Sequence, residues 1–413
     1  MEKIKIQNFA GIKAMEFEFN SINILIGPQG SGKSVTVKLH YFFKDFFKEL
    51  RKNVEEEESE QELDNAQKEK FIKFFPRDTW SEGDFDITYF ANDIWISLKQ
   101  VNNQIKLEYS ENLREAIHRI KKRYSEGKIE NNELDIHRVS REIDLREGVS
   151  GLIKEEIGNS PIHNQFFIPA GRSFFANIQK SIFSFLNDNR FLDPFLIEFG
   201  ATYEVMKGLL VKSEESVDKE FDKISAWILN GAYVRENNKD YLIHKDNRKV
   251  NLSNASSGQQ ETLPLILILK GLNSLRSSSN GEMATIYIEE PEAHLFPDAQ
   301  KAIVQLLARV FNNKRNDFQI FVTTHSPYIL SSFNNLLEAG RLSELKSEKA
   351  KDIAKIVPAA EQLKPGLLTA YSLSNGKKEN LIDKETNLII QTILDNISND
   401  IAIEFGKLLD IEF

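Results

Sequence analysis

No eight residues constrain this chain more than GPQGSGKS, Gly27 to Ser34. They follow the continuous apolar run INILI and lead into VTVKLHYFFKDFFKEL, where Leu39, Phe43, Phe46, Phe47 and Leu50 recur at helical spacing. The order is a strand covered on both faces, a glycine-rich turn and an amphipathic helix. Order and residues together match G-x-x-x-x-G-K-[ST] in full. Gly27, Gly30 and Gly32 let the backbone curl until consecutive N–H groups face phosphate oxygens, and the helix start adds its partial positive charge. Lys33 is placed to reach the β and γ phosphates, and the Ser34 hydroxyl to ligate Mg²⁺. A nucleotide-binding α/β domain is the expectation.

Two later apolar strands end in chemistry-bearing residues. TIYIEEPEAHLFP, residues 285–297, carries Glu289 and Glu290 at the carboxyl end of a strand that Pro291 stops. A parallel strand delivers such a pair beside the phosphates. Glu289 is then the expected Mg²⁺ ligand, through water, and Glu290 the group that orients or deprotonates the attacking water. FQIFVTTHSP brings His325 to the same edge, where a neutral imidazole can hydrogen-bond the γ-phosphate or the water. Between these motifs, ASSGQQ, Ala255 to Gln260, opens an apolar helical run, with Ser257 as the candidate N-cap and Gln260 three residues on.

In this order the phosphate loop, the carboxylate strand and the histidine strand resemble the ATPase heads of the ABC superfamily. The resemblance implies a mostly parallel sheet flanked by helices, an antiparallel β subdomain, and ATP with Mg²⁺ as cofactors. It also implies a small-residue turn that caps the γ-phosphate of ATP held by a second protomer. Ser256, Ser257, Gly258 and Gln259 occupy that place. Composite sites of this kind need two chains, so a homodimer of heads or a higher homo-oligomer is expected, and a monomer should hydrolyse ATP poorly.

Together, EEPEAHLFP, SSGQQE and TTHSP are most similar to soluble heads related to SMC and recombination-repair ATPases, and among these to OLD-type and other phage-defence ATPases. FFIPAGRSFF resembles that group as well and marks Arg172 as a candidate phosphate or interface contact, with an ordinary salt bridge as the other reading. Gln165 is the one candidate for a Q-loop residue. OLD nucleases carry a nuclease domain after the head, and the stretch after His325 shows no Asp-x-Asp constellation for one. The resemblance therefore implies an ATPase whose effector, a nuclease or toxin, is a separate subunit released when a phage-encoded trigger binds. In length and in the tail AYSLSNGKKENLIDKETNLII it is similar to the AriA-type ATPase subunits of the phage anti-restriction-induced system, PARIS, with Septu-type ATPases as neighbours. The alternative is a recombination-repair type of ATPase that clamps DNA.

Charge bears on that alternative. A formal net charge of −9 argues against a surface that grips nucleic acid all over. The basic cluster HRIKKRY, residues 118–124, reads as a solvated helix face, and the acidic run Glu55 to Glu62 as a solvated or flexible segment. The absence of cysteine excludes disulfides and thiolate metal sites. No apolar run approaches the roughly 20 residues of a bilayer span, and the start has no signal-peptide core, so no membrane contact and a cytoplasmic location are expected. The expected organisation is an N-terminal lobe over 1–50, an inserted hairpin and helical, coiled-coil-like arm over 51–160, a C-terminal lobe over 161–340, and a tail over 341–413 for oligomer or effector contacts.

Overall fold

Every residue of the run Ile22–Ile26 is buried, because the strand it forms lies inside a six-stranded sheet with an apolar core on each face. The computed structural model describes residues 2–80, 83–130, 138–158, 164–178, 193–212, 218–274, 283–313, 317–390 and 403–404. The strands are β1 (Glu2–Phe9), β2 (Ile12–Phe19), β3 (Ile22–Ile26), β4 (Phe85–Ala91), β5 (Ile94–Val101), β6 (Gln104–Tyr109), β7 (Asn164–Ile168), β8 (Ala232–Glu236), β9 (Lys239–Ile243), β10 (Lys249–Asn251), β11 (Met283–Glu289), β12 (Asp317–Thr324), β13 (Leu368–Ser374) and β14 (Lys377–Asn380). The helices are α1 (Lys33–Glu55), α2 (Glu60–Phe74), α3 (Glu111–Glu130), α4 (Arg138–Ile157), α5 (Phe174–Ile178), α6 (Pro194–Lys212), α7 (Lys219–Ile228), α8 (Ser257–Ser274), α9 (Pro297–Phe311), α10 (Pro327–Leu345) and α11 (Ala350–Ile356).

The large sheet has the order β14-β13-β3-β12-β11-β7 and is parallel except for β14. Strand alternation divides its side chains between two cores. Leu25, Tyr287 and Phe321 face α1 and the antiparallel lobe, while Ile24, Ile286, Ile288, Ile320 and Val322 face α8, α9 and α10. Continuous apolar strands are what such two-sided cover requires. Among the described residues no helix is long and apolar enough to cross a membrane.

A second, antiparallel sheet runs β2-β1-β4-β5-β6, and α1 lies between it and the parallel sheet. This arrangement buries both flanks of α1, Phe42 and Phe43 as well as Phe46 and Phe47. Tight turns fix the hairpins. Asn102 and Asn103 at the β5–β6 turn, and Asn237 and Asn238 at the β8–β9 turn, all take positive φ, the conformation of a two-residue turn that matches strand twist.

Three expectations change. The hairpin β5–β6 is not part of an appended insertion: the unforeseen strand β4 pairs with β1 along its length, so the hairpin extends the sheet begun by the first residues of the chain. The boundary drawn at residue 50 falls within α1, and the one at 340 within α10. The region read as a tail supplies β13, which pairs in parallel with β3 and completes the sheet on the far side of the phosphate loop. Of the rest of that region, residues 391–402 and 405–413 lie outside the described residues. The arm is present as the paired helices α3 and α4. Its basic cluster is a solvated face, with Arg119 and Arg123 paired to Glu155 and Glu156 while Ile120 and Tyr124 point into the core. The acidic run is an ordered corner, where Ser59 and Glu62 form a reciprocal cap at the start of α2.

One charged cluster is sealed between the two sheets. Lys44 Nζ of α1 lies 3.0 Å from Glu2 Oε1 of β1 and donates to Thr285 Oγ1 of β11 at 3.1 Å and to Gln319 Oε1 of β12 at 2.9 Å. His40 bridges Glu2 at 2.9 Å and the Tyr287 hydroxyl at 3.0 Å. Burial acts to raise the Glu2 carboxyl, but the Lys44 ammonium and the His40 hydrogen bond together hold it well below the usual range. Burial pushes the His40 imidazole below its ordinary value, against the pull of Glu2. Both groups therefore hold a proton less readily folded than unfolded. The stability this contributes is complete above the ordinary values, and is lost as pH falls below about 6.5 for His40 and below about 4.5 for Glu2. The urea midpoint is expected to decline from pH 7 to pH 5.5 and more steeply below pH 4.5. Lys44→Met leaves the buried Glu2 carboxylate without its ammonium, and should lower the unfolding free energy by about 3–5 kcal/mol. Pairing it with Glu2→Gln should restore most of the loss, whereas an unchanged midpoint in the single variant defeats this account.

Candidate functional site

The parallel strands deliver the motif residues to one edge. The phosphate loop follows β3, and β12 lies between β3 and β11, so the turn bearing His325 is flanked by the loop on one side and by Glu289 and Glu290 on the other. The motif spacing placed these groups at one edge but did not give that strand order.

Close packing shapes the loop. A Cβ on Gly27 would stand 2.0 Å from the Leu373 carbonyl oxygen of β13, and one on Gly32 3.0 Å from the Ile12 side chain. Gly30 and Gly32 take φ of 73° and 96°, a region that disfavours other residues. Gly32 is the N-cap of α1, so the following N–H groups open toward the loop. Lys33 Nζ donates to the carbonyls of Gly27 and Pro28, both at 2.8 Å, holding the loop curled. Burial pulls the Lys33 ammonium below its ordinary value, while Glu290 and Glu292 oppose this from across the site.

Glu289 ends β11 and is almost wholly buried. One carboxylate oxygen accepts from the Ala170 N–H at 3.3 Å, and the other, Oε1, is buried without a hydrogen-bond partner. An orphaned buried carboxylate oxygen costs free energy unless a cation or its water shell meets it, so the residue fits a Mg²⁺ ligand. No cluster of three or more His, Asp or Glu side chains able to hold a metal exists among the described residues. Mg²⁺ suits such a place, since it is usually held by one or two carboxylates together with substrate phosphates.

Glu290 takes φ of 45°, left-handed for a residue with a side chain, and its N–H donates to the Thr323 carbonyl at 2.9 Å. This twist breaks the strand's alternation and turns the carboxylate outward. Its Oε1 lies 3.2 Å from His325 Nε2, and both side chains are about a third exposed, as groups that meet a ligand must be. The third carboxylate of the motif, Glu292, had no assigned role. It accepts from Thr324 Oγ1 and from the His325 N–H, each at 2.7 Å.

The ASSGQQ turn begins α8 one residue earlier than expected. Ser256, not Ser257, is the cap: its N–H and hydroxyl bond Gln259 Oε1, each at 3.1 Å, and its Oγ accepts from the Gln259 N–H. Gln259 also donates to the Leu229 carbonyl at 2.7 Å, so its side chain holds the turn and is not left to meet phosphate. Ser256 and Ser257 are exposed, and the first N–H groups of α8 have no intrahelical acceptor. Gly258 is required by crowding, since a Cβ there would stand 2.9 Å from the His294 carbonyl in the loop after Glu290.

Of the two readings of Arg172, the structure shows the salt bridge and not the phosphate or interface contact. It is 1% exposed, and its guanidinium donates to the carbonyls of Pro169, Glu289, Glu290 and Glu261 at 2.7–3.0 Å and pairs with Glu261 Oε1. A fully buried guanidinium committed to main-chain carbonyls does not contact phosphate or a second chain. Its salt bridge belongs to the interior and ties the β7 turn, the β11 end and the first turns of α8 together. Gln165 lies in β7 opposite Thr285, four residues short of Glu289, with its amide at the Tyr287 hydroxyl, so it is no Q-loop residue.

Comparison with known proteins fits this geometry. Residues 22–331, well over half of the chain, match the family described as "AAA domain, putative AbiEii toxin, Type IV TA system", and the chain belongs to that family. A phosphate loop between β3 and α1, in a parallel sheet packed against an antiparallel lobe, gives it the architecture of a P-loop ATPase domain. Similar solved structures are the SMC head domain from Thermotoga maritima (11% identity, 92% of this chain and 97% of that one, TM-score 0.37), an Smc head bound to the C-terminal winged-helix domain of ScpA (12%, 93% and 97%, 0.42), and the Smc head with coiled coil and joint from Pyrococcus yayanosii (12%, 96% and 100%, 0.41). No curated protein matches the sequence significantly.

Gly27→Ala is expected to push the loop off the Leu373 carbonyl and weaken ATP binding roughly 10- to 100-fold, the equivalent of about 1–3 kcal/mol of overpacking. Titration with a fluorescent ATP analogue checks this, and an unchanged affinity would show that the loop does not need the close approach.

Proposed function

We propose that the chain hydrolyses ATP in composite sites formed between paired heads, and that in anti-phage defence it serves as the sensor and scaffold that holds a separate toxic effector, a nuclease, until a phage protein triggers release. The observation that carries the reading is the Glu290–His325 pair, exposed at the edge where the phosphate loop also ends. The exposed ASSGQQ turn supports pairing, because its free N–H groups and small residues suit the approach of a phosphate bound by another copy. The family description, which names a toxin and a toxin–antitoxin system, supports the defence setting.

Each residue has a part in the chemistry. The loop N–H groups and Lys33 cradle the phosphates and neutralise charge that grows on the β–γ bridging oxygen. Ser34 and Glu289 would hold Mg²⁺, which when bound supplies further charge neutralisation on the phosphates. Glu290 accepts a proton from the attacking water, and His325 holds the water or a γ-phosphate oxygen through its imidazole. Residues Ser256 to Gly258 of a partner copy cover the γ-phosphate and exclude bulk water. DNA clamping finds less support, since the arginines of the basic cluster are already paired with glutamates on α4.

Two variants separate binding from pairing. Ser257→Arg should bind ATP normally but fail to turn it over, because the bulk and charge sit on the face offered to the partner. Glu290→Gln should lower phosphate release by about 10²–10⁴ and trap the paired state. Wild-type turnover in Ser257→Arg would sink the composite site. Native mass spectrometry of the gently purified chain with ATP and Mg²⁺ tests the scaffold reading. An oligomer carrying a second protein supports it, whereas a dimer carrying nucleic acid and no second protein favours the DNA clamp.

A further inference from the structure

The geometry assigns Glu292 as the residue that positions His325 for ATP hydrolysis, an assignment resting on the ATPase reading above. The turn after β11 is tightly wound: the Ala293 N–H donates to the Glu290 carbonyl at 3.1 Å and the Leu295 N–H to the Glu292 carbonyl at 3.0 Å. Pro291 is buried in this turn. The Glu292 side chain is thereby aimed back across the edge at the end of β12, where Oε1 receives the Thr324 hydroxyl and the His325 N–H at 2.7 Å each. Both are short hydrogen bonds to a carboxylate, the stronger kind.

The hold extends forward. Thr324 Oγ1, having donated to Glu292, accepts from the Ser326 N–H at 3.0 Å. Ser326 Oγ donates to Gln300 Oε1 of α9 and caps α10 by accepting from the Tyr328 N–H at 3.2 Å. The main chain of His325 is thus fixed from both sides, and its side chain alone is left to swing at the edge. One turn, Glu290 to Leu295, sets both members of the 3.2 Å pair, Glu290 through its own backbone and His325 through the Glu292 carboxylate. Removing the Glu292 acceptor leaves the Thr324 hydroxyl and the His325 N–H unanswered and lets the imidazole drift from the water it must orient.

The test is steady-state ATP hydrolysis by the full chain with Mg²⁺, read together with its melting temperature. Glu292→Ala is expected to lower kcat roughly 10- to 100-fold with KM within about twofold and little change in melting. Glu292→Gln keeps an acceptor oxygen in place and should restore most of that loss. In a His325→Ala background, Glu292→Ala should cost nothing more, because it acts through the histidine. Should Glu292→Ala fail to fold, Glu292→Asp withdraws the carboxylate by one methylene and carries the same expectation. Wild-type kcat in Glu292→Ala, losses that multiply in the double variant, or a Gln variant as impaired as the Ala variant would each overturn the assignment. A wild-type chain that hydrolyses no ATP in its paired state is a different result and overturns the ATPase reading itself.

Discussion

The edge of the parallel sheet depends on one buried cation. Arg172 is enclosed on all sides, and a charge in such a place costs several kcal/mol unless its hydrogen bonds are complete. Here they are directed at four main-chain carbonyls and one carboxylate. Two of those carbonyls belong to Glu289 and Glu290, and the carboxylate is Glu261, in the second turn of α8, which in turn accepts from the N–H groups of Arg172 and Ser173. The metal-ligand candidate, the water-activating candidate and the first turns of α8 are therefore built around the same side chain. A shift in any one of them strains the hydrogen bonds of the others, a rigid connection between the strand end bearing Glu289 and Glu290 and the start of α8.

A comparable economy governs the two lobes. The helix that carries Lys33 and Ser34 at its start is packed on both flanks, so its orientation is set by two sheets at once. Near its middle, Lys44 reaches β1, β11 and β12 through Glu2, Thr285 and Gln319. Phosphate loop, carboxylate strand and histidine strand are held in common alignment far from the edge where they act. A polar cluster in an apolar seam specifies one registration of the lobes, because any other leaves buried charge unmatched.

Local patterns were readable where the chemistry is local. The phosphate loop, its flanking strand and helix, the hairpin within residues 51–160 and the apolar strands ending in carboxylates or histidine were all legible, since each is fixed by residues adjacent in sequence. Arg172 kept two readings because an arginine after a strand looks the same whether it faces phosphate or the interior; burial alone separates the two. Glu292 was in view as part of EEPEAHLFP, but its role depends on residues of another strand. The part played by residues 368–374 was missed for a similar reason: a short strand of mixed polarity gives no sign that it will lie against β3 and crowd Gly27.

What the sequence by itself determined is the inventory of reactive groups and the direction in which each strand delivers them, because glycine conformations, side-chain alternation and proline stops act over a few residues. The tertiary structure alone decided the strand order that sets β12 between β3 and β11, the union of the first strands with the hairpin near residue 100, and which polar side chains are interior supports. Those outcomes rest on pairing and burial between segments about 80 to 300 residues apart. Their free energy comes from matching whole surfaces, which no single stretch of sequence records.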